Sequence, residues 1–401
     1  MIISTHTGRP AAWDSPAAVA ACICACVAAY GVYLGLPLIL GALADRFKFD
    51  NRQLGWIGAI ENLGLLLGSL AASRRAPSRR FRQLMLIGMA IAVAADSLTL
   101  LIGTFRWYCL VRFVAGLGGG LCYSSAISCL SLTRRSARNF TVFVVILVLA
   151  NSLELWLIPG IVSQWGISGL YIALALLYTA PALLMYALPA VVEAAGDRRG
   201  DLGLQAPAHA ASFTMLACVC LVAVVLFNIA ASAFYAFAER IGVTVGLAEV
   251  TIARVLTFAN LLSLTGSLLA YWLSRKWGHH RPQLAAILVM IGVYLTWSAG
   301  ITIIGYIIGA IIFFEVWSMA SVYQLSTLTG LDQAGRYVAL VPASQGLGQS
   351  LGPFLAGLLL GWQLKFPQML LCVTVFAAGC FVAYLYVYLK LRRTHPDLAN
   401  T

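Results

Sequence analysis

Apolar runs of about twenty residues recur along the 401-residue chain, separated for the most part by short polar turns. They fall at 17–40, 53–73, 84–104, 108–131, 141–162, 167–188, 212–236, 249–273, 283–299, 301–325, 338–361 and 367–389. A helix needs ~20 apolar residues to cross a hydrocarbon core ~30 Å thick. Each run therefore predicts one transmembrane helix, twelve in all, and the spacing leaves no room for a sizeable soluble domain. The first run, from Ala17 to Leu40, exceeds the apolar region of a cleaved leader and reads as a retained helix.

One polar stretch is longer than the other turns: residues 189–210, rich in Gly, Asp, Arg and Pro, read as a flexible linker. It divides the chain into residues 1–188 and 211–401, each with six spans. Matches at one offset support the division: NLGLLLGSL at 62–70 aligns with NLLSLTGSL at 260–268. The same shift places Ser152 and Leu153 on Ser350 and Leu351, and Arg138 on Arg336. Two parallel six-helix repeats follow as the expected architecture.

Charge sets the orientation. Of the 26 Lys and Arg residues, Arg112 and Arg254 fall inside spans. Arg46, Lys48, Arg52, Arg106, Arg240 and Lys365 lie in one set of loops, and the remaining eighteen lie with the tails in the other. Cytoplasmic loops carry the basic excess, so both termini are expected in the cytoplasm of a cell with an inner membrane. Composition agrees with a lipid environment: 61% of residues are apolar and 10% charged, against roughly 25% charged in soluble domains, and mean hydropathy is +0.89. The net charge of +12 is scattered over short loops, which argues against nucleic acid as a partner. All ten cysteines fall within or beside apolar runs and read as small packing residues. No metal-ligand spacing appears, and no metal or cofactor is expected.

Particular residues then point to a family. VRFVAGLGGG (111–120) resembles the arginine-plus-glycine fourth helix of the major facilitator superfamily at Arg112, Gly116 and Gly120. GLGQSLGPFLAG (346–357) is similar to its glycine-proline eleventh helix, and residues 54–80 resemble its second helix running into a basic turn. The acidic residue usual in that turn is replaced here, and LSRKWGHHRP (273–282) lacks it too. The glycine run ending in Gly-Pro that marks antiporters in span five is missing from ANSLELWLIPG (150–160). The resemblance implies an all-α membrane protein of two pseudo-symmetric six-helix bundles. It also implies gating at basic loops, here Arg74, Arg75, Arg138, Arg275 and Arg336.

Ionisable residues inside a bilayer cost ~2.5–3.5 kcal/mol at a helix centre on insertion scales, so each needs a reason. Glu61, Asp96, Glu154 and Glu315 lie deep in spans two, three, five and ten. By resemblance, span ten faces the central cavity, which makes Glu315 the first candidate for binding substrate or proton, with Glu61 and Glu154 next. Asp96 reads as a satisfied polar contact, and Arg112 either as a carboxylate partner or as a side chain that snorkels to the headgroups. The resemblance also implies a ligand surface that includes Tyr30, Tyr33, Tyr123, Asn228, Tyr235, Trp317 and Gln324. Glycines four apart at 64/68, 116/120 and 348/352 place small faces on helices, either for static packing or for bundles that rock past one another.

The expected activity is secondary transport of a small organic solute by a monomer, with proton-coupled uptake favoured and proton-driven efflux as the alternative. A transporting ATPase is disfavoured because no G-x-x-x-x-G-K-[ST] loop occurs. An enzyme is disfavoured because His279 and His280 sit in a loop with no nucleophile or ligand spacing around them. A non-transporting receptor would be expected to carry a signalling domain.

Overall fold

A computed structural model of the protein describes residues 15–75, 81–186, 210–332 and 337–394. Residues 189–209 of the expected linker, and Arg336, lie outside the described residues. Thirteen α-helices and one short 3-10 turn are present, with no strand among the described residues. In chain order they are α1 (Pro16–Leu34), α2 (Leu36–Phe47), α3 (Asn51–Arg75), α4 (Phe81–Thr99), α5 (Phe105–Ser131), α6 (Ser136–Leu177) and α7 (Thr179–Tyr186). The second series is α8 (Ala210–Thr244), α9 (Glu249–Trp277), α10 (His280–Ala299), α11 (Ile303–Leu331), α12 (Val341–Gly361) and α13 (Phe366–Thr394).

Local chemistry sets several of these boundaries. Ser15 caps α1 by accepting from the Ala18 N–H at 3.2 Å, with Pro16 following where a missing N–H costs nothing. Gly35 ends α1, and Pro37 lies just inside α2, so the first crossing is a helix broken near its far end. Asp50 and Gln53 exchange side-chain and backbone hydrogen bonds at 2.7 and 3.0 Å, a capping box that starts α3.

Ten described segments are long and apolar enough to cross a membrane. One of them, Arg138–Met185, runs 48 residues, which as a straight helix would be ~72 Å long. Gly166, at φ 64° and ψ −167°, breaks it and turns the chain back, so this segment makes two crossings. The polar start of α12 (VPASQGLGQS) lowers its hydropathy, yet its 21 residues match the other crossings in length. The twelve predicted spans are thus all present as helices.

In the first half α5 lies against α3, α4 and α1; in the second, α8 packs on α12 and α13, and α9 on α11. Backbone contact explains the α3–α5 seam. A Cβ on Gly116 would strike the Glu61 carbonyl, one on Gly120 the Leu65 carbonyl, and one on Gly64 the Phe113 carbonyl. Gly348 and Gly352 serve the α12–α8 seam in the same way, since a Cβ on either would lie 2.6 Å from a carbonyl of α8. These glycine faces lie inside the halves, so they are static packing surfaces and not the faces on which the halves meet.

The halves meet most extensively where α3 packs on α12, α6 on α9 and α2 on α8. The α3–α12 approach is closest at Gly55 and Gly357, where a Cβ on one would lie 2.6–2.7 Å from the other's Cα. Ser350 donates to the Ala59 carbonyl at 2.9 Å on the same seam. Large apolar side chains such as Ile304, Leu268 and Val375 stay two-thirds exposed on the outside, as lipid-facing surface requires.

Candidate functional site

The most unusual chemistry is a fully buried arginine. Arg112 lies seven residues into α5, ~10 Å along the helix, and has no exposed surface. Its guanidinium donates to Asp96 of α4 at 2.5 Å and lies 3.6 Å from Glu61 of α3. It also sits over the Tyr171 ring of α6, 4.8 Å from the centroid, and Tyr171 shares a hydrogen bond with the Tyr108 hydroxyl. Asp96, expected as a satisfied polar contact, is the tight ionic partner of Arg112; Glu61 is the looser one. Beside them lies a cavity of about 20 Å³, lined by Tyr33, Glu61, Asn62, Asp96 and Tyr178 among others. That is room for about one water.

Two carboxylates against one guanidinium leave the cluster one negative charge in excess when both are ionised. An uncompensated charge in so dry a setting is costly. One proton neutralises it, and the carboxylate with the weaker hold on Arg112 is Glu61.

A second group lies between the halves. Tyr30 and Tyr33 of α1 pack edge to face at 5.8 Å, Tyr30 meets Tyr123 of α5 at 4.5 Å, and Tyr33 meets Tyr235 of α8 at 5.8 Å. Tyr235 continues to Trp317 and Phe314 of α11 at 5.5 and 5.9 Å. This row of rings crosses from one half to the other. The Tyr235 hydroxyl donates to the Leu34 carbonyl at the α1–α2 break. Beside it stands Glu154 of α6, partly buried, with Oε1 facing Gly35 closely enough that a Cβ there would sit 2.8 Å away. Asn260 of α9 donates to Ser152 Oγ at 2.8 Å and to the Val148 carbonyl at 2.9 Å, and Asn151 donates to Asn260 Oδ1 at 3.2 Å. Sequence reasoning passed over Asn151 and Asn260, although the repeat aligned Asn260 with Asn62.

A third cluster closes the end of the molecule where α2 meets α8. Arg240 donates to both carboxylate oxygens of Asp45 at 2.9 and 3.0 Å, to Glu239 at 2.6 Å and to the Gly41 carbonyl at 3.1 Å. Partial burial pushes the Asp45 carboxyl up, but the hydrogen bonds and charge of Arg240 outweigh it and hold Asp45 below the usual carboxylate range. The contact is at full strength above the ordinary carboxylate range and fades as pH falls through the lowered value of Asp45.

The other candidates are spread out. Glu315 of α11 lies over Gly266 of α9 and accepts from Thr265 at 2.5 Å. Thr265 shares an exposed stripe with Phe258, Leu262 and Leu269, so the Glu315 carboxylate is directed to the outer side of the α9–α11 seam instead of the expected cavity. Asn228 is buried against α12, its amide bonded within its own helix. Gln324 is buried, with neither amide atom hydrogen-bonded. Arg138 is exposed and, with Arg134 and Arg135, lines an open cavity beside the first turns of α1. Arg275 sits over the Tyr271 ring at 5.9 Å. Arg74 and Arg75 end α3, and their side chains lie outside the described residues.

Two pseudo-repeated helix bundles with buried ions and a polar-aromatic zone between them define a polytopic membrane carrier. The family model of the Major Facilitator Superfamily matches residues 21–331, and the chain belongs to that superfamily. Solved structures agree on the fold. The nucleoside transporter NupG is similar at TM-score 0.73 and 12% identity, over 92% of this chain and 98% of its own. A bacterial homologue of the human lysosomal transporter Spinster, inward-facing and unoccupied, is similar at TM-score 0.70 and 13% identity, over 93% and 97%. The D-xylose-proton symporter is similar at TM-score 0.69 and 13% identity, over 92% and 96%. No curated protein sequence matches the chain.

Proposed function

We propose that this protein is a proton-coupled secondary carrier that takes a small organic solute across the inner membrane by alternating access. Residues 1–188 and 211–401 act as the two moving halves, joined by a cytoplasmic linker, with both termini in the cytoplasm and one chain as the working unit. The observation that carries the reading is the buried Arg112–Asp96–Glu61 cluster, one proton short of neutrality beside a water-sized cavity. Glu61 is the proton carrier: neutral, it leaves Arg112 to Asp96 alone; ionised, it competes for the guanidinium and pulls α3 toward α5. Because α3 also packs on α12 of the other half, this exchange reaches the junction between halves. The D-xylose-proton symporter among the similar structures supports coupling to protons.

The test is proton movement into proteoliposomes holding a trapped pH dye, on addition of solutes from a panel of nucleosides, pentoses and organic amines. At least one solute is expected to drive proton movement through the native protein. Glu61→Gln is expected to abolish that movement while labelled solute still exchanges across the membrane. Proton movement at the native rate in Glu61→Gln would remove Glu61 from the mechanism.

A further inference from the structure

The central row of rings encloses three polar atoms that have no hydrogen-bond partner: Glu154 Oε1, Asn151 Oδ1 and the Tyr33 hydroxyl. Asn151 Oδ1 can only accept, and so can Glu154 Oε1 when the carboxylate is ionised. Asn151 has committed one of its two amide N–H groups to Asn260, and the Tyr235 hydroxyl donates to Leu34. The described residues supply no cation to Glu154, whereas Arg112 is occupied by Asp96 and Glu61. The site is thus rich in acceptors and poor in donors, with one unpaired carboxylate in the middle of a membrane helix. An unpaired buried polar group costs about 1–3 kcal/mol, more when charged, and in a transmembrane helix such a group has a partner or a function.

From this we infer that the solute is an organic cation, an ammonium-type group on an aromatic or apolar body, with Glu154 as its counter-charge. The inference rests on the carrier reading above and narrows its substrate. An ammonium group brings the donors that Glu154, Asn151 and Tyr33 lack. Tyr33, Tyr235 and Trp317 supply ring faces within one side-chain length of one another, and such faces attract a cation. A carboxylate-bearing solute would meet Glu154 as a like charge. A neutral sugar would leave that charge unpaired.

The experiment uses detergent-purified full-length protein, its thermal unfolding followed by tryptophan fluorescence with three groups of probes. Phenethylammonium, benzylammonium and N-methylphenethylammonium are the cations; 2-phenylethanol and 3-phenylpropionate are the neutral and anionic counterparts. At least one cation is expected to raise the unfolding temperature saturably, at concentrations tenfold or more below its counterparts. Glu154→Gln should weaken that binding at least tenfold, and Glu315→Gln should leave it unchanged. If Glu154→Gln does not yield folded protein, Tyr33→Phe removes a single hydroxyl and should weaken binding several-fold. The inference is overturned if 3-phenylpropionate or 2-phenylethanol binds as tightly as the cations, if none of the cations binds, or if both variants bind them like the native protein. In each of those cases solute-driven proton movement in liposomes would keep the carrier reading standing. Its loss as well would end both.

Discussion

Arg112→Met is expected to leave little folded protein to purify. The methionine fills much of the same volume, but Asp96 and Glu61 are left facing each other without the guanidinium that both address. Removing one partner of a buried pair costs about 3–5 kcal/mol, a large share of the stability of any domain. Charge, not shape, is the cause, and a triple variant separates the two. Arg112→Met combined with Asp96→Asn and Glu61→Gln removes every charge from the cluster and should recover most of the folded yield, while losing proton coupling. The measurement is the monodisperse fraction on size exclusion, with the unfolding temperature of each variant. A triple variant as poorly folded as the single one would show that Arg112 acts through packing.

Gly116→Leu is expected to damage the protein almost as severely, through the backbone. The added Cβ collides with the Glu61 carbonyl and would stand 3.0 Å from the Leu65 nitrogen, so α3 and α5 must separate along their length. Overpacking costs about 1–3 kcal/mol even where side chains can yield, and here a backbone must move. The displaced residue is Glu61, so the milder Gly116→Ala should impair proton coupling before it impairs folding. Gly160→Ala is the control, since a Cβ there meets nothing within 4 Å, and it should unfold at the native temperature. Unfolding temperatures within a degree for Gly116→Leu and Gly160→Ala would refute the seam as described.

Arg112, Glu61 and Glu154 were legible in the sequence because a charge inside an apolar run stands out from its neighbours. Their partners were harder to read. Asp96 stood out equally, but pairing depends on which faces of α4 and α5 meet, and one residue turns a helix by about 100°. Glu315 shows the same limit: its depth in α11 was clear, whereas its direction is set by Gly266, whose missing side chain opens a path to Thr265. The glycine pairs were visible as helix faces, but spacing alone does not say whether the neighbouring helix belongs to the same half. Gly357, which joins the halves at Gly55, has a glycine four residues on at Gly361, a pair whose spacing gives no hint that its neighbour is α3 of the other half. The Asp45–Arg240 contact spans 195 residues, and nothing local in either segment announces it.

Alternating access requires two halves that open at one end as they close at the other. Spin-label distances between Arg46 and Val243, beside the Asp45–Arg240 contact, and between Leu132 and Leu325 at the opposite end, test this directly; all four positions are exposed. In the native protein the first pair should be close and the second apart. Asp45→Asn, which weakens the hold of Arg240, should lengthen the first distance and shorten the second together. Distances that stay fixed, or that change in the same direction at both ends, would contradict alternating access in this protein.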